Sequence, residues 1–154
     1  MHLQDMIAEL GREMGIPGLA LDENGLCRLV FDTKLVVDLE ASSDGKVMHV
    51  YSVVCGIPPE NREAFYDSLL AANLFGQETG GAAFARDETA DEILLCTRVN
   101  PDKTDFRDFV NQLEDFVNHL ETWIEKLSGP ARAEADKGGE KPEILPDDPR
   151  FLKV

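Results

Sequence analysis

The chain is poor in the side chains that most often carry chemistry. Of 154 residues, only three are histidine and three are cysteine. His2, His49 and His119 form no His-x-x-x-His pair, and Cys27, Cys55 and Cys96 form no Cys-x-x-Cys pair, so metal-ligand spacing is absent. Cys55 lies six residues from His49 on the same strand face, too far for a nucleophile–base pair, and Cys27 offers no closer arrangement. The cysteines read instead as small buried apolar residues of a reducing compartment. Gly80-Gly81 lacks the lysine and hydroxyl residue of a phosphate loop. The acidic run around Asp87-Glu88 and Asp91-Glu92 lacks the alternation of a calcium loop. The expectation is no catalytic residue, no metal and no cofactor, hence not an enzyme. The first residues carry no basic segment followed by an apolar one, and no apolar run approaches membrane-spanning length. These absences predict a cytoplasmic protein without membrane insertion.

Basic residues are also scarce, 15 against 30 acidic, for a formal charge of -15. Phosphates would be repelled, which excludes ordinary nucleic-acid binding. Self-repulsion for solubility explains the sign; steering toward a basic partner, or mimicry of DNA, are sharper explanations.

What is present is pattern. Leu3, Met6, Ile7, Leu10 and Met14 recur at helical spacing, with Gly15 and Pro17-Gly18 as the stop. Beyond Asn24-Gly25 the period changes. Leu26 to Asp32, Lys34 to Glu40 and Val47 to Cys55 predict a three-stranded antiparallel meander. In its middle strand Leu35, Val37 and Leu39 share one face. Pro58-Pro59 ends the meander, and a helix follows from Glu60 to about Leu74. Two strands come next, Ala82 to Arg86 and Ile93 to Val99. A long helix from Phe106, capped by Thr104 or Asp105, stops at Ser128-Gly129-Pro130. The order α-β-β-β-α-β-β-α predicts an α+β fold, a five-stranded antiparallel sheet packed with three helices.

Residues 1–127 form the expected domain, and 128–154, rich in proline, glycine and charge, read as a disordered tail. The tail holds five basic and six acidic residues, so nearly all the net charge belongs to the domain. Its terminal Phe151-Leu152-Lys153-Val154 reads as a frayed end, with a docking segment as the alternative.

The second helix is apolar on two sides. Phe65, Leu69 and Ala72 form one line; Tyr66, Leu70 and Leu74 form another. One stripe suffices for packing on a sheet, so the second predicts an interface with a second copy of the chain, with deeper burial inside one subunit as the alternative.

The run Ala71-Ala72-Asn73-Leu74-Phe75-Gly76, followed by Thr79-Gly80-Gly81-Ala82, resembles the most distinctive stretch of the Tir chaperone (CesT) family, the class I type III secretion chaperones. Leu21 to Gly25 leading into Cys27 to Asp32, Ile57-Pro58, Phe84 to Glu88, and Phe116-Val117 through Trp123 match in the same order. The resemblance spans about residues 1–127. It implies a bacterial homodimer joined through the second helix and the neighbouring strand, with Tyr66, Leu70, Leu74, Phe75, Gly80, Gly81 and Phe84 at or flanking the contact. It implies an ATP-independent chaperone for the extended N-terminal segment of a secreted effector, with the ATPase of the secretion apparatus a further candidate partner. Leu3, Ile7, Leu10, Leu29, Phe31 and Val37 become candidate effector contacts. The competing expectation, resting on charge alone, is an acidic regulatory or immunity-type protein that binds a basic target.

Overall fold

A computed structural model describes residues 1–128 and 151–153. Helix α1 spans Leu3–Glu13 and buries Leu3, Met6, Ile7 and Leu10, the apolar line read from the sequence. Strands β1 (Leu26–Phe31), β2 (Leu35–Ala41) and β3 (Met48–Gly56) follow as an antiparallel meander. The β1–β2 link is tight because Asp32 and Thr33 both adopt left-handed backbone, the geometry of a two-residue hairpin turn.

Helix α2 (Arg62–Asn73) begins two residues later than expected because Asn61 sits at φ 55°. Asparagine tolerates that conformation, but it is not helical backbone. A single 3₁₀ turn, Leu74–Gly76, ends the segment, with Phe75 also at φ 55°. Strands β4 (Ala83–Asp87) and β5 (Glu92–Val99) form a hairpin, and β5 crosses to pair with β3. Helix α3 (Phe106–Leu127) is capped by Asp105, whose carboxylate accepts from the Asp108 N–H at 2.8 Å.

The expected five antiparallel strands lie in the order β4-β5-β3-β2-β1. Leu29, Val37, Leu39, Met48, Val50 and Leu95 pack with Met6, Ile7, Phe109, Leu113, Phe116 and Leu120 of α1 and α3 in one core. The opposite side of the meander carries polar pairs. Arg28 donates twice to Asp38, at 2.6 and 2.8 Å, and Tyr51 donates to Glu40 at 2.7 Å.

One element corrects the sequence reading. Phe151–Lys153, expected to be a frayed end, forms a strand β6 that pairs in parallel with β1, setting Leu29 opposite Leu152. The sheet therefore has six strands. The remainder of the predicted tail, residues 129–150 and Val154, lies outside the described residues.

Candidate interaction surfaces

Helix α2 sits along the β4 edge of the sheet. Leu69 and Ala72 turn inward and are buried, whereas Leu70 is 69% exposed on the opposite side. Leu74 at 62% and Phe75 at 85% continue that outer row into the 3₁₀ turn. These are the large apolar side chains a soluble subunit would hide if it could. Beside them a groove of about 390 Å³ runs between α2 and β4, floored by Tyr66, Leu69, Phe84 and Ile93.

The structure divides the predicted interface residues into surface and support. Leu70, Leu74 and Phe75 form the exposed row, and Tyr66 is half-buried at the groove. Phe84 belongs to the core: it meets Trp123 edge to face at 4.9 Å between ring centroids. Gly80 and Gly81 shape the loop behind the row. A Cβ on Gly80 would come within 2.6 Å of the His119 ring, and one on Gly76 within 2.7 Å of the Gly81 backbone. Both glycines have positive φ, so conformation and close approach impose the same residue. Helix α3 clamps this loop, since the Trp123 indole N–H donates to the Glu78 carbonyl at 2.9 Å.

Asn73 is a residue the sequence reading did not assign. Its side-chain amide donates to the Phe84 carbonyl at 3.2 Å and its oxygen accepts from the Phe84 N–H at 2.7 Å. A side chain thus occupies one position of the open β4 edge as a neighbouring strand would. Its signal in the sequence is its place as the last residue of α2, inside the run Ala71 to Gly76.

A second surface lies at the other end of the sheet. A groove of about 630 Å³ opens between α1 and α3, lined by Leu10, Met14, Phe31, Val110, Leu113 and Val117, with Glu13, Glu114 and Asn118 also on its wall. Its base reaches Phe31, the last residue of β1. The expected effector contacts divide between the core and this groove. Leu3, Ile7, Leu29 and Val37 are sealed in the core, because the helical and strand periods that picked them out are those of the inward face. Leu10 is also buried but borders the groove, and half-buried Phe31 is the candidate that keeps accessible surface there.

The cysteines differ in setting. Cys27 is a buried residue of β1, and desolvation, reinforced by the nearby Asp38 and Asp22 charges, pushes its thiol up to about 12. Burial raises Cys96 as well. Burial also pushes the Tyr51 hydroxyl up, with the Glu40 hydrogen bond reinforcing it. Each shift stabilises the neutral group, the opposite of an activated nucleophile. Among the described residues, no three His, Cys, Asp or Glu side chains group as a metal site would require. No described helix is long and apolar enough to cross a membrane.

The sheet packed by helices thus carries an exposed apolar helix row at one end and an apolar groove at the other. The chain belongs to the Tir chaperone protein (CesT) family, whose model matches residues 5–124. A Chlamydia pneumoniae protein is 30% identical over 126 residues, covering 81% of this chain and 95% of the relative. The Tir chaperone of Escherichia coli O111:H- is 30% identical over 112 residues, covering 73% of this chain and 69% of the relative. Among solved structures, the ExsC–ExsE complex matches with a TM-score of 0.67 at 23% identity, covering 81% of this chain and 96% of that one. The HopA1–SchA chaperone–effector complex matches at 0.66 and 14% identity, covering 79% and 91%. The Yersinia pestis type III secretion chaperone SycH, in complex with a fragment of YscM2, matches at 0.61 and 22%, covering 78% and 98%. These structural likenesses extend the shared fold across nearly the whole of each relative.

Proposed function

We propose that this chain is a homodimeric, ATP-independent type III secretion chaperone of the bacterial cytoplasm. It holds the extended N-terminal segment of a secreted effector in a soluble, export-competent form. The observation that carries the reading is the exposed row Leu70, Leu74 and Phe75 in a chain of this family. A second copy laid on the same row would remove three large apolar side chains from water in a self-complementary contact. The fold shared with the HopA1–SchA chaperone–effector complex supports the client.

The groove at Phe31 supports the mode of binding. An extended polypeptide gains affinity from main-chain pairing with a sheet edge and specificity from side chains seated in apolar pockets. The α1–α3 groove lies at the end of β1 and supplies such a pocket, and Glu13 and Glu114 on its wall favour a basic residue in the client. The chain's acidity keeps loaded chaperones apart in solution.

The test is co-expression with secreted proteins encoded beside the gene, followed by purification and limited proteolysis. The expected result is a 2:1 complex in which a segment near the effector N-terminus resists protease. Recovery of a folded basic domain, released when surface carboxylates are reversed in charge, would support the acidic-inhibitor reading instead.

A further inference from the structure

The five antiparallel strands alone would leave β1 as an open edge. Its sequence, Leu26–Phe31, is apolar apart from Arg28 and contains no proline or glycine. An unprotected edge of that composition invites pairing with any extended chain. The structure fills it. Phe151–Lys153 runs parallel to β1, with Arg28 opposite Phe151 and Val30 opposite Lys153. The occupant comes from the same polypeptide, after a connection of residues 129–150. A chain of roughly 20 residues can span up to ~70 Å, so reach sets no obstacle.

We infer that the β1 edge is a strand-acceptor site which the chain's own C-terminal segment occupies in the free protein, as a placeholder that an arriving extended client must displace. The placeholder role rests on the client-binding reading above; the occupancy of the edge does not. Two features suit a placeholder better than a permanent strand. It is three residues long and its pairing is parallel. Parallel pairing is slightly weaker per residue than antiparallel, and a short ladder adds little. Such a strand stays docked because it is tethered. A tether of this length confers an effective concentration of order millimolar. A longer client strand, which also seats a side chain in the groove beside Phe31, would outcompete it.

Tethering makes the inference quantitative. A segment that fills the edge about nine-tenths of the time at a local concentration of ~1 mM must bind there in trans with a Kd below ~0.1 mM once the tethered copy is disabled. The experiment compares the full-length chain with its full-length double variant Phe151→Pro/Leu152→Pro. Two successive prolines remove the backbone donor on whichever side faces β1. The probe is a synthetic peptide of residues 143–154.

Hydrogen exchange of the β1 amides should be at least ~tenfold faster in the variant, and millimolar peptide should restore the wild-type rate. The labelled peptide should bind the variant with a Kd below ~0.1 mM and the wild-type chain at least ~tenfold more weakly. Equal exchange in the two chains would overturn the occupancy. Faster exchange without peptide binding would overturn the acceptor site. Because neither readout contains an effector, failure here is distinct from failure of the co-purification test. If both readouts succeed while no effector is recovered, the edge is an acceptor without an export client, and the placeholder role falls.

Discussion

Replacing Asn73 with alanine leaves the Phe84 N–H and carbonyl without the side chain that pairs them at 2.7 and 3.2 Å. Neither group belongs to the β4–β5 ladder, so water is the alternative partner, and Phe84 is itself buried. The expected cost is about 1–3 kcal/mol, read as a lower denaturant midpoint with an unchanged slope. Gly76→Ala should cost more than Gly45→Ala, although both positions are left-handed. A methyl group at 76 meets the Gly81 backbone at 2.7 Å, while at 45 it meets nothing. The expected order is about 1 kcal/mol for Gly45→Ala and at least ~2 kcal/mol for Gly76→Ala, measured by urea unfolding.

Cys27 supplies a pH signature. Its folded thiol stands near 12 against an ordinary 9.0, so the folded state favours the protonated form. The associated stability is fully present below about pH 9 and is lost as pH rises from there toward 12. Iodoacetamide at pH 8 should leave Cys27 unmodified in the native chain and label it in urea, as peptide mass spectrometry would record. Rapid native labelling would contradict the buried setting.

At the level of elements, the amphipathic pattern made most of the fold legible. The inward residues of α1, the meander strands and α3 are those that periodicity selected, because burial of one face is what the period records. The same logic explains why most of the expected effector contacts lie in the core. Ile7, Leu29 and Val37 stand out in the sequence because they build the core, and a surface patch has no period of its own. The boundary shift at α2 came from Asn61, whose left-handed backbone no pattern announces. Strand β6 was illegible for another reason: three residues carry too little pattern, and their partner is more than 100 residues away.

Helix α2 was the most informative element, since its surplus stripe is visible in both sequence and structure. Leu70→Asp/Leu74→Asp should leave the subunit folded, because both side chains are exposed, with a change in Tm within about 2 °C. The same variant should elute as a monomer in size exclusion with light scattering. Trp123→Ala tests the clamp behind that helix. It removes the edge contact to Phe84 and the hydrogen bond to Glu78, with an expected loss of about 3–5 kcal/mol in urea unfolding.

For the whole molecule, the two ends of the sheet carry opposite kinds of closure. At one end Asn73 blocks a single rung of β4; at the other β6 covers the middle of β1. Sheets propagate from copy to copy only where a run of backbone groups stands open, and here both runs are interrupted. Association through the α2 row is different in kind, since a contact that uses the same patch on both partners consumes it completely. Growth into fibres through the sheet therefore meets a closed rung at one edge and a covered strand at the other, while the proposed α2 contact would close at two copies.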